Sequence, residues 1–480
     1  MTIPRGRGRG RSGPGSGAAA RRGAVLGIVV VLMFALAVLA TAAFVLFRSN
    51  LRSGEWREDR VRAMMAAESG AALAMHYLGT LDVPPSDPEP FSLDGDSLQW
   101  IEIPGSGGDK VWVVVDPFDQ GMGPVNNGGV EIRSRGMSGE SVRDVVVRAC
   151  PDYPSRYARL VDRSLLSRPF VDGDVVDGPV HCNGPIGFAS LSSDSAGDPY
   201  LSMVGTTVDG GFHFSGHGYS TSPHPEGSNV WVRPFAHHLQ GKPYWDATAD
   251  SIDFDGLRSY FEDLSGVAAS QGSYLSGVRR LLIDGSRIIC SAGPESEPET
   301  LSLAGRDVVF VRGGPVYVKT IDRLTTPLTL VVSGDLIIAG QLDAPGAGLG
   351  TPLGLVSLGD VQVARDPDLW GGTDWAFPWE IETEGHILVH ATVAALGGSL
   401  RAESPGEPTP QRVLSIHGGL MEREAGRLGT SSGGFGLALG YDSGLQSVHP
   451  PRFPSLETWV MTSWMMDPDY GDRSIDDNMF

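Results

Sequence analysis

The chain has 480 residues, a net charge of −20, 65 glycines, 34 prolines and three cysteines. That length predicts two or three folded units, and the glycine and proline content predicts tight turns and short strands. The acidic balance argues against a phosphate-bearing nucleic acid as partner. Three distant cysteines (Cys150, Cys182 and Cys290) with no CxxC spacing are too few for a disulfide scaffold, leaving room for one bridge and one free thiol.

Residues 1–23 carry Arg5, Arg7, Arg9, Arg11, Arg21 and Arg22 and no acid, so residues 24–480 carry −26. Ala24 to Phe47 follows without a charge. At helical rise it spans about 36 Å, enough to cross ~30 Å of hydrocarbon with some tilt. The positive-inside bias places residues 1–23 in the cytoplasm. A cleaved signal peptide is the competing reading. Its apolar region would be shorter and would end at a small-residue site, whereas this run leads straight into Arg48. The expectation is a single-pass inner-membrane protein held through residues 24–47, with about 430 residues outside.

The helix is predicted to continue. No proline occurs from Arg48 to Leu78, and only Gly54 and Gly70 interrupt helix formers. Charged residues alternate from Glu55 to Arg62, and small and apolar residues dominate from Ala63 to Met75. The result is a stem over residues 24–80, apolar in its first half and amphipathic in its second. From periodicity alone, a membrane anchor with a juxtamembrane helix fits equally well. Pro84, Pro85, Pro88 and Pro90 then end the helix. Alternating apolar runs at Leu98–Ile103, Val111–Val115, Val130–Arg133 and Val142–Val147 predict an antiparallel meander over residues 91–150.

Residues 151–465 predict a mainly-β body, with helical patterning only at Phe254–Leu264 and Gln271–Leu282. A glycine, a polar residue and an alternating apolar run recur from Gly305, Gly334, Gly359 and Gly385, at spacings of 29, 25 and 26. Regular spacing of this kind predicts a parallel β-solenoid (a β-helix); an irregular β-sandwich is the alternative. In a solenoid, Leu336, Val361 and Ile387 would share one core column and Ile338, Val363 and Val389 another. Ile337, Gln362 and Leu388 would face outward, because burying the Gln362 amide is costly. The overall fold class is α+β. The acidic residues 466–480 predict a disordered tail.

Two patterns bear on chemistry. His181, His213, His217, His224, His237 and His238 cluster in sequence, but without ligand spacing, so no metal is assigned. His181 is expected to bond a turn carbonyl beside Asp177 and Asn183. Asp335 and Asp360 occupy equivalent repeat positions, as a carboxylate pair of a glycan-processing β-solenoid would. Aspartate after glycine is more simply turn chemistry. P-loop and strand-borne GxGxxG motifs are absent from the sequence. No catalytic residue and no cofactor is assigned, and the expectation is a non-enzyme.

Arg22-Gly23-Ala24-Val25-Leu26, the apolar run and Ala66-Ala67-Glu68-Ser69-Gly70-Ala71-Ala72-Leu73-Ala74 together resemble the stem of PilX-type minor pilins of type IV pili. The resemblance covers residues 21–78. It implies other pilins or pilus assembly proteins as partners, a role for Glu68 in stem assembly, and prepilin peptidase cleavage between Gly23 and Ala24. The chain departs from major pilins in one respect: position five after that cut is Ile28, not glutamate. Downstream, Gly173–Gly184, Leu414–Leu420 and His449–Pro454 resemble a domain without assigned chemistry that follows such stems in envelope proteins. The resemblance thus implies an accessory pilus component displaying a β-domain for assembly or surface contact. The alternative is a tethered protein that binds or processes a surface glycan.

Overall fold

The computed structural model describes residues 17–466, except 82–84, 86–88, 92–99, 118–128, 172–173, 191–199, 202–204, 208–211, 217–244, 247–249, 294–295, 347–350, 365–385, 404–410, 431–432, 447 and 457–458. The expected acidic tail therefore lies outside the described residues, apart from Met466.

Helix α1 runs unbroken from Gly17 to Leu78, roughly 90 Å at helical rise. It continues through Gly54 and Gly70 because neither residue removes a backbone donor, as proline would. Its segment 28–47 is long and apolar enough to cross a membrane, and its side chains are exposed throughout. Further along, Ala63, Ala66, Ala67, Ala71, Ala74 and Leu78 are buried. They lie on one face, and that face packs on an antiparallel sheet.

The sheet contains the predicted meander. Strands 101–102, 110–117, 130–138 and 141–151 pair antiparallel in that sequence, and strand 89–91 borders 110–117. Inward residues alternate along each strand: Val111, Val113, Val115, Val130, Ile132, Val145, Val147 and Ala149 form one core with the α1 alanines. Strand Trp459–Met466 adds itself to the outer edge of 141–151. Its residues 459–465 fall in the range the sequence reading assigns to the outer body. The sheet thus draws on both ends of the β-region, which no local pattern could show.

The rest is mainly β with parallel sheets. A ten-stranded sheet is parallel at every pairing, in the spatial order 245–246, 205–207, 180–182, 159–161, 420–422, 392–395, 353–357, 328–332, 308–312 and 274–276. The chain enters this sheet in its middle, at 159–161, and moves outward to 245–246. It next crosses to the opposite edge, then returns strand by strand until 420–422 lies beside 159–161. Helix α2 (Phe254–Gln271) makes the crossing. Its 18 residues span about 27 Å, close to the ~24 Å across the six strands it covers. Asp253 caps its start by accepting from Asp255 and Gly256 N–H, and left-handed Gly272 ends it. The expected helix over 271–282 is instead strands 274–276 and 280–284, because that cap turns the chain.

On the ten-stranded sheet, Leu160, Met421, Ala394, Val356, Val331 and Phe310 form one continuous register row beneath α2, meeting Phe254, Leu257, Phe261 and Leu264. The opposite row, Leu420, Val393, Leu355, Leu330 and Val309, faces the main core. A seven-stranded sheet and a six-stranded sheet close that core.

Strands 336–338 and 361–363 pair in parallel, with Leu336 on Val361, Ile337 on Gln362 and Ile338 on Val363. Leu336, Ile338, Val361 and Val363 are fully buried. Ile337, expected to face outward, is instead buried in a second apolar cluster with Leu282 and Tyr317, and the third member of each column is a further correction. Leu400, Arg401 and Ala402 follow Val361, Gln362 and Val363, while Ile387–His390 pairs with Leu414–His417 in the six-stranded sheet. The run from Gly305 likewise lies in the ten-stranded sheet. Four evenly spaced runs therefore fall on three sheets. Even spacing did not mean equivalent position, because each turn of chain supplies more than one apolar strand.

Candidate functional sites: the stem and the seam cavity

The stem is assembled from small side chains. Ser134 Oγ donates to the Ala67 carbonyl at 2.6 Å from inside the sheet. A Cβ on Gly136 would fall inside van der Waals contact of Ala63 O and Ala67 N, and 2.9 Å from Ala66 Cβ. A Cβ on Gly70 would lie 2.8 Å from Val113 Cγ2. The alanines and glycine of the A-A-E-S-G segment thus serve close approach to the chain's own sheet. Glu68, between them, is exposed and makes no ion pair among the described residues. Gly23 and Ala24 lie within the α1 backbone helix.

The second site is the seam where the returning strand 420–422 meets strand 159–161. Arg159 and Glu422 both point into the main core there, with Arg159 Nη2 and Glu422 Oε1 3.0 Å apart and the side chains 8% and 1% exposed. The other Glu422 oxygen, Oε2, accepts from Leu400 and Gly426 N–H, and the Arg159 guanidinium lies 5.2 Å from the Phe170 ring centre. Such a pair overcomes its desolvation only with these extra partners. Arg423 extends the seam outward to Asp162 and to Asp255 of α2, and its contact holds the Asp255 carboxyl below its ordinary value.

Two of the three downstream signature segments converge here. From the first, Asn183 is a hub: its Nδ2 donates to Asp162 Oδ1 (2.9 Å) and to Ile252 O (2.7 Å), and its Oδ1 accepts from Ile252 N–H. His181 Nε2 meets the same Oδ1 at 3.0 Å. The sequence reading named Asn183 only as a neighbour; an asparagine following a short β-run was the available signal. From the other segment, Phe453 packs edge-on to Phe261, and His449 stacks on Tyr153 at 3.7 Å.

Between these segments and the start of α2 lies a cavity of about 650 Å³. Its floor holds Asp152, Arg156, Tyr157 and His181, and its rim holds Asp250, Tyr260 and Ser455. Arg156 Nε lies 2.7 Å from Asp152 Oδ1, and the Tyr157 hydroxyl lies 3.4 Å from both Asp152 Oδ2 and Arg156 Nη2. Burial lowers the His181 pKa and raises that of Tyr157, so both are neutral at pH 7. No motif search finds this set, because its members come from residues 152–181, 250–260 and 454–456.

Asp335 and Asp360 are adjacent in turns. Asp335 Oδ1 accepts from Asp360 N–H (2.9 Å) and Asp360 Oδ1 from Ser399 N–H (2.8 Å), while Gln362 and Arg401 hold their other oxygens. Each carboxylate therefore fastens the following turn, as turn chemistry requires. Of the remaining histidines in the sequence cluster, His213 lies in strand 212–216 and the others lie outside the described residues. Among the described residues, no group of three or more His, Cys, Asp or Glu side chains is placed to hold a metal. The three cysteines are buried and none is joined to another by a disulfide. Burial pushes the Cys150 and Cys182 thiols up to about 11.

No protein-family model matches the chain, and no curated protein matches it. Among solved structures it is similar to the competence-associated pilin ComZ from Thermus thermophilus. The identity is 13% and the TM-score 0.32, over 85% of this chain and 97% of that one. A likeness at this level fixes neither family nor activity.

Proposed function

We propose that the chain is a pilin-like accessory subunit, a minor pilin of a type IV pilus or related secretion system. In this reading α1 is held in the inner membrane with residues 1–23 in the cytoplasm, and the β-body lies in the periplasm or at the surface. One observation carries it: a single helix whose first half is apolar and bare, and whose second half seats small residues on an antiparallel sheet. A bare apolar helix of this length needs lipid or neighbouring helices to cover it. The resemblance of residues 21–78 to PilX-type stems supports the same reading. The β-body is then a β-solenoid whose turns stack from 308 to 422 and on to 245, presented for assembly or surface contact and not for catalysis. Other pilins and pilus assembly proteins are its partners, and nucleic acid is not.

One finding favours a second reading, a membrane-tethered glycan-binding protein. The A-A-E-S-G segment is accounted for by packing on the chain's own sheet, so it does not by itself require a filament. N-terminal sequencing of the membrane-associated chain, with and without an active prepilin peptidase, separates the two. The pilin reading expects Ala24 as the first residue only when the peptidase is present. A chain starting at Met1 or Thr2 in both cases leaves the tether.

A further inference from the structure

The seam cavity stands apart from the stem, and its chemistry is specific enough to name a ligand class. Its volume of about 650 Å³ falls within the ~300–1,000 Å³ of small-molecule sites. Charge narrows the choice first. Asp152, Asp250 and Asp253 face one guanidinium, Arg156, so phosphate, sulfate and uronate groups are repelled. A cation is not favoured either, because two of the three carboxylates already have partners: buried Asp152 is held by Arg156, and Asp253 caps α2. Asp250 alone has no partner among the described residues, and it sits exposed at the rim.

What remains suits an uncharged molecule rich in hydroxyl groups. Carboxylate oxygens of Asp250 and Asp253 accept hydrogen bonds, while the Arg156 guanidinium and the Tyr260 hydroxyl donate them. The Tyr260 ring, 39% exposed, offers an apolar face beside these groups, as the C–H face of a sugar ring requires. Leu257 and Ile252 form a buried wall behind it. We infer that this cavity, between the start of α2 and the 449–456 segment, binds a neutral saccharide of about disaccharide size. The site holds whether or not the stem enters a filament.

The test uses the full chain in lipid nanodiscs free of glycosidic detergent. Maltose, cellobiose and N,N′-diacetylchitobiose are titrated by calorimetry and by saturation-transfer NMR, with inorganic phosphate and spermidine as charged probes. The expected result is binding of at least one disaccharide and of neither charged probe. Tyr260→Ala and Asp250→Ala should each weaken that binding by about tenfold or more. Both residues are exposed, so neither variant should shift the thermal melt. Failure of all three disaccharides at millimolar concentration overturns the inference. So does saccharide binding unchanged in both variants, which would place the ligand elsewhere. Binding of spermidine or phosphate at this cavity in place of sugar would overturn the ligand class.

Discussion

Replacing Gly136 by alanine tests the stem's seat on its sheet at its tightest point. The added methyl group would overlap Ala63 O and Ala67 N and press on Ala66 Cβ at 2.9 Å. Two of these are backbone atoms and the third is a Cβ fixed to the same helical turn, so no side-chain rotation relieves the overlap, and the turn must lift. Overpacking of this kind costs about 1–3 kcal/mol. Lifting also lengthens the 2.6 Å bond from Ser134 to Ala67, worth about 0.5–1.5 kcal/mol. The sum is roughly 2–4 kcal/mol, or about 30- to 1,000-fold in the local opening equilibrium. Amide hydrogen exchange of residues 63–78 in nanodiscs reads that number directly. Two other glycines calibrate it. Gly70→Ala gains about 1 kcal/mol of helix propensity but overlaps Ser134 Oγ, Val111 Cγ2 and Val113 Cγ2; these are side-chain atoms that can turn aside where backbone cannot, so its effect should be smaller. Gly54→Ala meets nothing within 4 Å and should stabilise by about 0.5–1 kcal/mol. Unchanged exchange at 63–78 in Gly136→Ala, or the reverse order among the three variants, would refute the packing argument.

Three further outcomes follow from the β-body. Val361→Ala should destabilise by about 1–3 kcal/mol in chemical denaturation. Gln362→Ala should cost at most about 1 kcal/mol, the worth of its 3.1 Å bond to Asp335; equal effects would mean the column does not face the core. Glu422→Ala strands the buried Arg159 guanidinium and should cost about 3–5 kcal/mol, whereas Arg159→Met with Glu422→Leu should recover most of it. A double variant as unstable as the single would show that the seam needs the charges themselves. His449, stacked on Tyr153, has its pKa lowered to about 4 by burial. Its native form is neutral while the unfolded form takes up a proton near pH 6.5, so stability is full above pH 6.5 and falls as pH drops toward 4. His449→Phe should remove up to about 1.4 kcal/mol per pH unit from that slope, and an unchanged slope in a denaturation series from pH 7 to 4 would contradict the assignment.

Local signals in the sequence were read well where one period dominates. The proline-free run to Leu78 is one helix, the alternating runs from Val111 to Val147 are one antiparallel sheet, and Leu336 does stack on Val361. The failures are of long range. Ile387 does not follow Val361, because strand 400–402 takes that place and an apolar triplet carries no mark of which sheet it joins. The closing pairs, 161 with 422 and 151 with 459, join residues about 260 and 310 positions apart in sequence, and no periodicity encodes them. The same holds for the cavity. His181 and Asn183 stood in a recognisable segment, but their partners Ile252 and Tyr157 come from α2's entry and from the turn that precedes strand 159–161. Glu68 was picked from a motif whose small residues turn out to face the chain's own sheet, with the glutamate left outside.

The proposal that this chain is a pilus subunit is tested most directly by shearing surface appendages from cells and probing the sheared and membrane fractions for it. The account predicts that the chain appears in the sheared fraction, beginning at Ala24, and that it is lost from that fraction when prepilin peptidase is deleted. A chain that stays in the membrane fraction, uncut at Gly23, whether or not the peptidase is present, would contradict it.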